Sequence, residues 1–107
     1  MFARIAKFIP KPEMKEEFIN VVRKEVLPIL KQQQGFMEFL PLVPETKTEK
    51  WINVTLWAET RDAQRYEREV YPTVEAILRR YQATPVDHTH YNVETSLCTH
   101  FVEALTV

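Results

Sequence analysis

Glycine is nearly missing from this chain: Gly35 is the only one in 107 residues. A P-loop or a dinucleotide fingerprint needs several glycines at fixed spacing to bring backbone N–H groups against phosphates. Nucleotide enzymes of those two designs are therefore excluded. Cysteine is equally scarce. Cys98 alone cannot form an internal disulfide or a cysteine-only metal site, and a cytoplasmic home is the default expectation. An excess of one charge is also lacking, since 14 Lys and Arg against 15 Asp and Glu leave a formal net charge of -1. Neither a nucleic-acid partner nor electrostatic docking on a membrane is expected from that balance. No apolar run approaches the roughly 18–20 residues that span a bilayer. The N-terminal MFARIAKFIPKP alternates instead of forming a solid apolar block, so no signal peptide is expected. What is present is 45% hydrophobic and 11% aromatic residues, enough for one core and one domain over residues 1–107.

Residues 2–9 alternate with period two and predict a strand, closed by Pro10 and Pro12. From Pro12 to about Gln34 the apolar positions Met14, Phe18, Val21, Val22, Ile29 and Leu30 recur at helical steps. Pro28 lies inside that pattern and should kink the helix against the carbonyl of Lys24. Gly35 is the expected C-terminal cap. Residues 36–43 predict a second strand, with Pro41 marking an edge or a bulge, and residues 51–58 a third. A second helix opens near Thr60 as its N-cap and carries Ala63, Tyr66, Val70, Val74, Ile77, Leu78 and Tyr81 on one stripe. Pro72 interrupts it as Pro28 interrupts the first. The strings Glu25-Val26-Leu27-Pro28 and Glu69-Val70-Tyr71-Pro72 are alike, which fits two βαβ halves with similar kinks. Residues 85–102 are β-prone, with Cys98 late in the last strand.

The order β-α-β-β-α-β predicts an α+β, ferredoxin-like fold: a four-stranded antiparallel sheet with two helices on one face. The third strand complicates this. Ile52, Val54, Leu56 and Ala58 share one face, and Trp51, Asn53, Thr55 and Trp57 the other. Both faces are too apolar for water, and helices cover only one. A second copy of the sheet is the simplest cover for the other, so a homodimer is expected.

The element order, the Gly35-Phe36 strand start and the Leu56-Trp57-Ala58-Glu59 ending of the third strand resemble the antibiotic biosynthesis monooxygenase family. The resemblance extends over residues 2–97. It implies a dimeric α+β barrel. Its best-known enzymes oxidise polycyclic phenols with O2 and need no metal or flavin; others degrade haem or rearrange small signalling molecules. The resemblance thus implies a monooxygenase of a small aromatic or polyketide-like compound, with O2 as co-substrate and no cofactor. Asn53 and Trp57 are similar to an Asn-x-x-x-Trp pair implicated in the cofactor-free anthrone oxygenases of the family. Four residues apart on one strand, they share a face about 13 Å apart.

The chemistry this would serve needs donors. A phenol or anthrone loses a proton, the anion passes one electron to O2, and the radicals recombine. The Asn53 amide and the Trp57 indole N–H are suitable donors. The same enzymes use a tyrosine and an arginine from the second helix. Tyr66 is the candidate tyrosine, while Tyr71, Arg68 and Arg79 lie in the right segment without matching by spacing. His88 and His90 share a strand face with Asn92. One of the pair can act as general base, and His90 is the candidate. A metal would need a third ligand, from Glu38 or His100, and no metal site is expected. Haem degradation requires an axial histidine in the second helix, and there is none between Thr60 and Gln82. Two other readings remain at this level: a non-catalytic ligand-binding or structural barrel, and an isomerase of a small carbonyl metabolite.

Overall fold

The computed structural model describes residues 1–99. Strand β1 (Phe2–Phe8) leads through α1 (Lys15–Val21) and α2 (Leu27–Lys31) to β2 (Phe36–Leu42) and β3 (Trp51–Trp57). Helices α3 (Thr60–Glu69) and α4 (Tyr71–Leu78) then lead to β4 (Asp87–Asn92). The sheet order is β2-β3-β1-β4, with every neighbouring pair antiparallel. Each helical connection steps over one strand, which is the α+β, ferredoxin-like topology predicted by the element order. Strand β2 is an edge, with a register shift between Phe36 and Glu38, so Pro41 sits where a missing N–H costs least.

Both prolines break their helices. After α1, residues Val22–Val26 form a π-helical turn in which the Leu27 N–H donates to the Val22 carbonyl five residues back. This wide turn takes up the register change that Pro28 forces at the start of α2. In the second half Val70 leaves helical geometry at φ -117°, and Pro72 falls in the first turn of α4. The two alike strings thus meet different local structures, a π-helical turn before Pro28 and a junction between two α-helices before Pro72.

The helices cover the sheet face that carries Phe2, Arg4, Ala6 and Phe8 of β1 and Trp51, Asn53, Thr55 and Trp57 of β3. Phe8, Phe18, Leu30, Trp57, Ala63, Tyr66 and Val74 are buried there, each 3% exposed or less. Phe18 meets Trp51 edge-on at 5.9 Å, and Phe36 meets Trp57 likewise at 5.5 Å. Among the described residues no helix lies on the opposite face. Ile5, Ile52, Val54 and Leu56 are half-buried, and Leu40, Leu42 and Tyr91 are exposed upon it.

Three local expectations change. Helix α2 ends at Lys31 with Gln32 as its cap, so Gly35 closes the following turn and not the helix. Gly35 holds φ +82°, and an added Cβ would fall on the Asp62 carboxylate, so glycine is required twice over. The N-cap of α3 is Glu59; Thr60 is already helical. Strand β4 stops at Asn92, which leaves Cys98 past the strand, after a 3-10 turn at Thr95–Leu97. His100 lies outside the described residues.

Candidate active site

The helix-covered face of the sheet carries two polar rows. Across β3, β1 and β4, Thr55, Arg4 and His90 stand side by side, and Asn53, Ala6 and His88 form the next row. Ala6 in the centre of that second row leaves space that a larger side chain would fill. A chamber of about 50 Å³ results, lined among others by Arg4, Asn53, Thr55, Tyr66 and Tyr71. Two larger hollows adjoin it. Toward β2 lies an apolar hollow of about 320 Å³ with Val22, Leu27, Phe39 and Trp51 in its wall. Asn53 borders both this hollow and the chamber. Toward β4 lies a more polar one of about 640 Å³, walled by Tyr71, Arg79, Thr84 and His88. Tyr71 borders it and the chamber.

Arg4 is the charged centre. Its side chain is 6% exposed, and its Nε donates to Glu67 Oε1 at 2.7 Å. The guanidinium carbon lies 4.3 Å from the ring centre of Tyr71 and 5.5 Å from that of Tyr66. His90 also bonds to Glu67 Oε1, through Nε2, and its ring stacks on Phe2 at 5.7 Å. Burial pushes the Glu67 carboxyl up, but hydrogen bonds and charge from His90 and Arg4 outweigh burial and hold it below 4.5. Burial drives Tyr66 from 10.0 up to about 12, with the Arg4 charge opposing. Tyr71 is raised by burial against the same opposition. His88 is lowered, first by burial and then by the Arg4 charge, and its Nε2 is buried without a hydrogen-bond partner. At neutral pH both tyrosines are therefore donors, not bases.

The sequence candidates fall in different places. Asn53 is half-buried and faces the cleft. Tyr66 is 3% exposed, lines the chamber and packs 5.0 Å from Trp57. Trp57 shares the helix-covered face but is fully buried, and its indole N–H already donates to Thr55 Oγ1 at 2.9 Å. None of the hollows described above is lined by Trp57. The expectation that one cavity sees both Asn53 and Trp57, and that the indole N–H is free to donate, is corrected on this point. His90 is tied to Glu67 at the surface, and its neighbour His88 is the histidine that borders a hollow. Glu38 pairs with Leu56 and so lies on the other face from both histidines. Among the described residues no three metal-ligating side chains cluster. Arg68 pairs with Glu69 at the surface, and Arg79 pairs with Glu75 beside the polar hollow.

Arg4, Glu67 and Thr55 were not singled out by their sequence pattern, and Tyr71 was passed over. One signal was present for Arg4: it is the single charge in the row Phe2, Ala6 and Phe8. A cation on a face otherwise apolar needs a partner or a task.

Comparison with known proteins places these features in a wider group. The profile of the antibiotic biosynthesis monooxygenase family matches residues 1–82. No curated protein sequence matches the chain. Among solved structures, a Nitrosomonas europaea protein classed with the antibiotic biosynthesis monooxygenases aligns at TM-score 0.71 and 18% identity, over 88% of this chain and 99% of that one. An asparagine-to-alanine mutant of SnoaB, a cofactor-independent oxygenase from Streptomyces nogalater, aligns at TM-score 0.72 and 16% identity, over 91% and 96%. A mutant of MhuD with two manganese protoporphyrin IX molecules bound per active site aligns at TM-score 0.70 and 17% identity, over 88% and 95%.

Proposed function

The chain belongs to the antibiotic biosynthesis monooxygenase family, and from that premise we propose that it is a cofactor-independent monooxygenase of a small aromatic compound, working as a homodimer. The observation that carries the reading is the place of Asn53: on the helix-covered sheet face, bordering both an apolar hollow large enough for a flat ring and a chamber with a buried cation. The apolar hollow holds the ring and excludes water. A ring CH2 conjugated with the substrate's oxygen gives its proton to water, the charge spreads onto that oxygen, and the Asn53 amide donates to the developing anion. The anion gives one electron to O2. Superoxide and the substrate radical then join as a peroxide, which loses water to leave a carbonyl. In sum a CH2 and O2 become C=O and H2O. The substrate supplies all four electrons, so no flavin or metal is required.

Protoporphyrin fits this chain poorly. The second helical segment has no histidine to serve as an axial ligand, and His90 is held by Glu67. The second sheet face supports the dimer: Ile52, Val54, Leu56, Leu40 and Leu42 form a continuous apolar surface that no helix among the described residues covers. Oxygen uptake is the direct test. Wild type with anthrone should consume O2 well above autoxidation, one O2 per carbonyl formed. Asn53→Ala should lower kcat about a hundredfold, as losing an oxyanion donor does. Uptake equal to the protein-free rate would leave a ligand-binding barrel instead.

A further inference from the structure

Arg4 is a fork of five N–H donors; its Nε donates to Glu67, and Tyr71 also lies within its hydrogen-bonding reach. The rest of the guanidinium is walled in by the ring of Tyr71 and borders the 50 Å³ chamber. A guanidinium only 6% exposed is costly to keep unless its charge is met by an anion. Glu67 only partly settles the charge, because His90 claims the same carboxylate oxygen. What the chamber lacks is an anionic acceptor, and its volume admits no more than a few water-sized groups.

We infer that Arg4 binds the ionised oxygen of the substrate, and that this site selects flat aromatic compounds bearing an anionic oxygen substituent over neutral ones of the same shape. The ring occupies the apolar hollow beyond Asn53 and only its oxygen enters the chamber. Arg4 is thereby a specificity-determining residue contributed by β1, away from the second helix. The choice of ring rests on the oxygenase reading; the selection for negative charge does not.

The probes are 2-naphthoate, ionised at neutral pH, and naphthalene-2-carboxamide, its neutral counterpart. Calorimetric titration of the full chain at pH 7.5 should show the carboxylate binding at least tenfold tighter. Arg4→Gln should bring the two affinities together. Because that change strands Glu67, the double variant Arg4→Gln with Glu67→Gln guards against misfolding and should behave alike. Arg79→Gln, in the outer polar hollow, should retain the preference. Three results overturn the assignment: no preference in wild type, including no binding of either probe at millimolar concentration; a preference that survives in the double variant; or one lost with Arg79 instead. Preserved preference alongside absent O2 uptake would sink the oxygenase reading and leave Arg4 its role.

Discussion

Trp57→Phe separates packing from chemistry on the helix-covered face of the sheet. Trp57 is 0% exposed and its N–H donates to Thr55 Oγ1 at 2.9 Å. Phenylalanine retains one ring but strands the Thr55 hydroxyl as an acceptor, which costs about 1–3 kcal/mol in a buried setting. The missing five-membered ring leaves a gap on the order of 40 Å³, worth roughly 1 kcal/mol at ~24 cal/mol per Å³. The sum is about 2–4 kcal/mol. For a domain of this size that lowers Tm by about 10–20 °C, at fixed protein concentration. Asn53 is half-buried and anchors no such bond, so Asn53→Ala should cost under ~1 kcal/mol. The two variants should thus diverge: one melts early, the other folds normally and loses turnover. Scanning calorimetry of both, with oxygen uptake well below either Tm, reads the contrast. A Trp57→Phe protein melting within 2 °C or so of wild type would show that the Trp57–Thr55 bond does not hold this part of the core, and the reasoning would fail.

Other outcomes follow from separate parts of the molecule. Val54→Asp places a carboxylate in the middle of the bare apolar face, so light scattering should fall from twice the 12.7 kDa chain mass to a single chain; a monomeric wild type would remove the dimer. Gly35→Ala meets the Asp62 carboxylate at a positive φ and should lower Tm by several degrees, whereas Gln34→Ala beside it should not. Glu67 has a folded pKa below 4.5, so its contribution to stability is complete above that pH and is lost as pH falls through the folded value. Glu67→Gln should accordingly close the Tm gap to wild type on acidification; parallel melting curves between about pH 6 and pH 3 would contradict the hydrogen-bonded carboxylate.

Much of the fold was legible because its periodicities are clean. Period two in residues 2–9 and 51–58, helical steps in between, and one glycine before Phe36 are sufficient for the strand order. Which face of β3 meets the helices was not legible, since Ile52, Val54 and Leu56 are as apolar as Trp51 and Trp57. Local composition cannot say which of two apolar faces a partner element takes. The site was legible only where it lay along one strand. Asn53 on β3 and, on α3, Tyr66 were candidates that both line the chamber; the pairing of Trp57 with Thr55, two residues apart on one face, was open to the same spacing rule and went unused. Arg4 and Glu67 stand 63 residues apart, and only the closed sheet brings β1 under α3. A lone arginine in a strand reads as solvated until its neighbours across the sheet are known.

The two prolines tie these observations together. The π-helical turn before Pro28 lies where Val22 and Leu27 wall the apolar hollow, and the break before Pro72 lies at Tyr71, which borders the polar one. Each helical connection is thus interrupted at one end of the same cleft. Beneath them, Arg4 sits on β1, the strand hydrogen-bonded on both sides by β3 and β4. Its backbone is held by ladders on both sides, which is what a preorganised charge requires. The rigid element carries the cation, and the interrupted elements carry the walls.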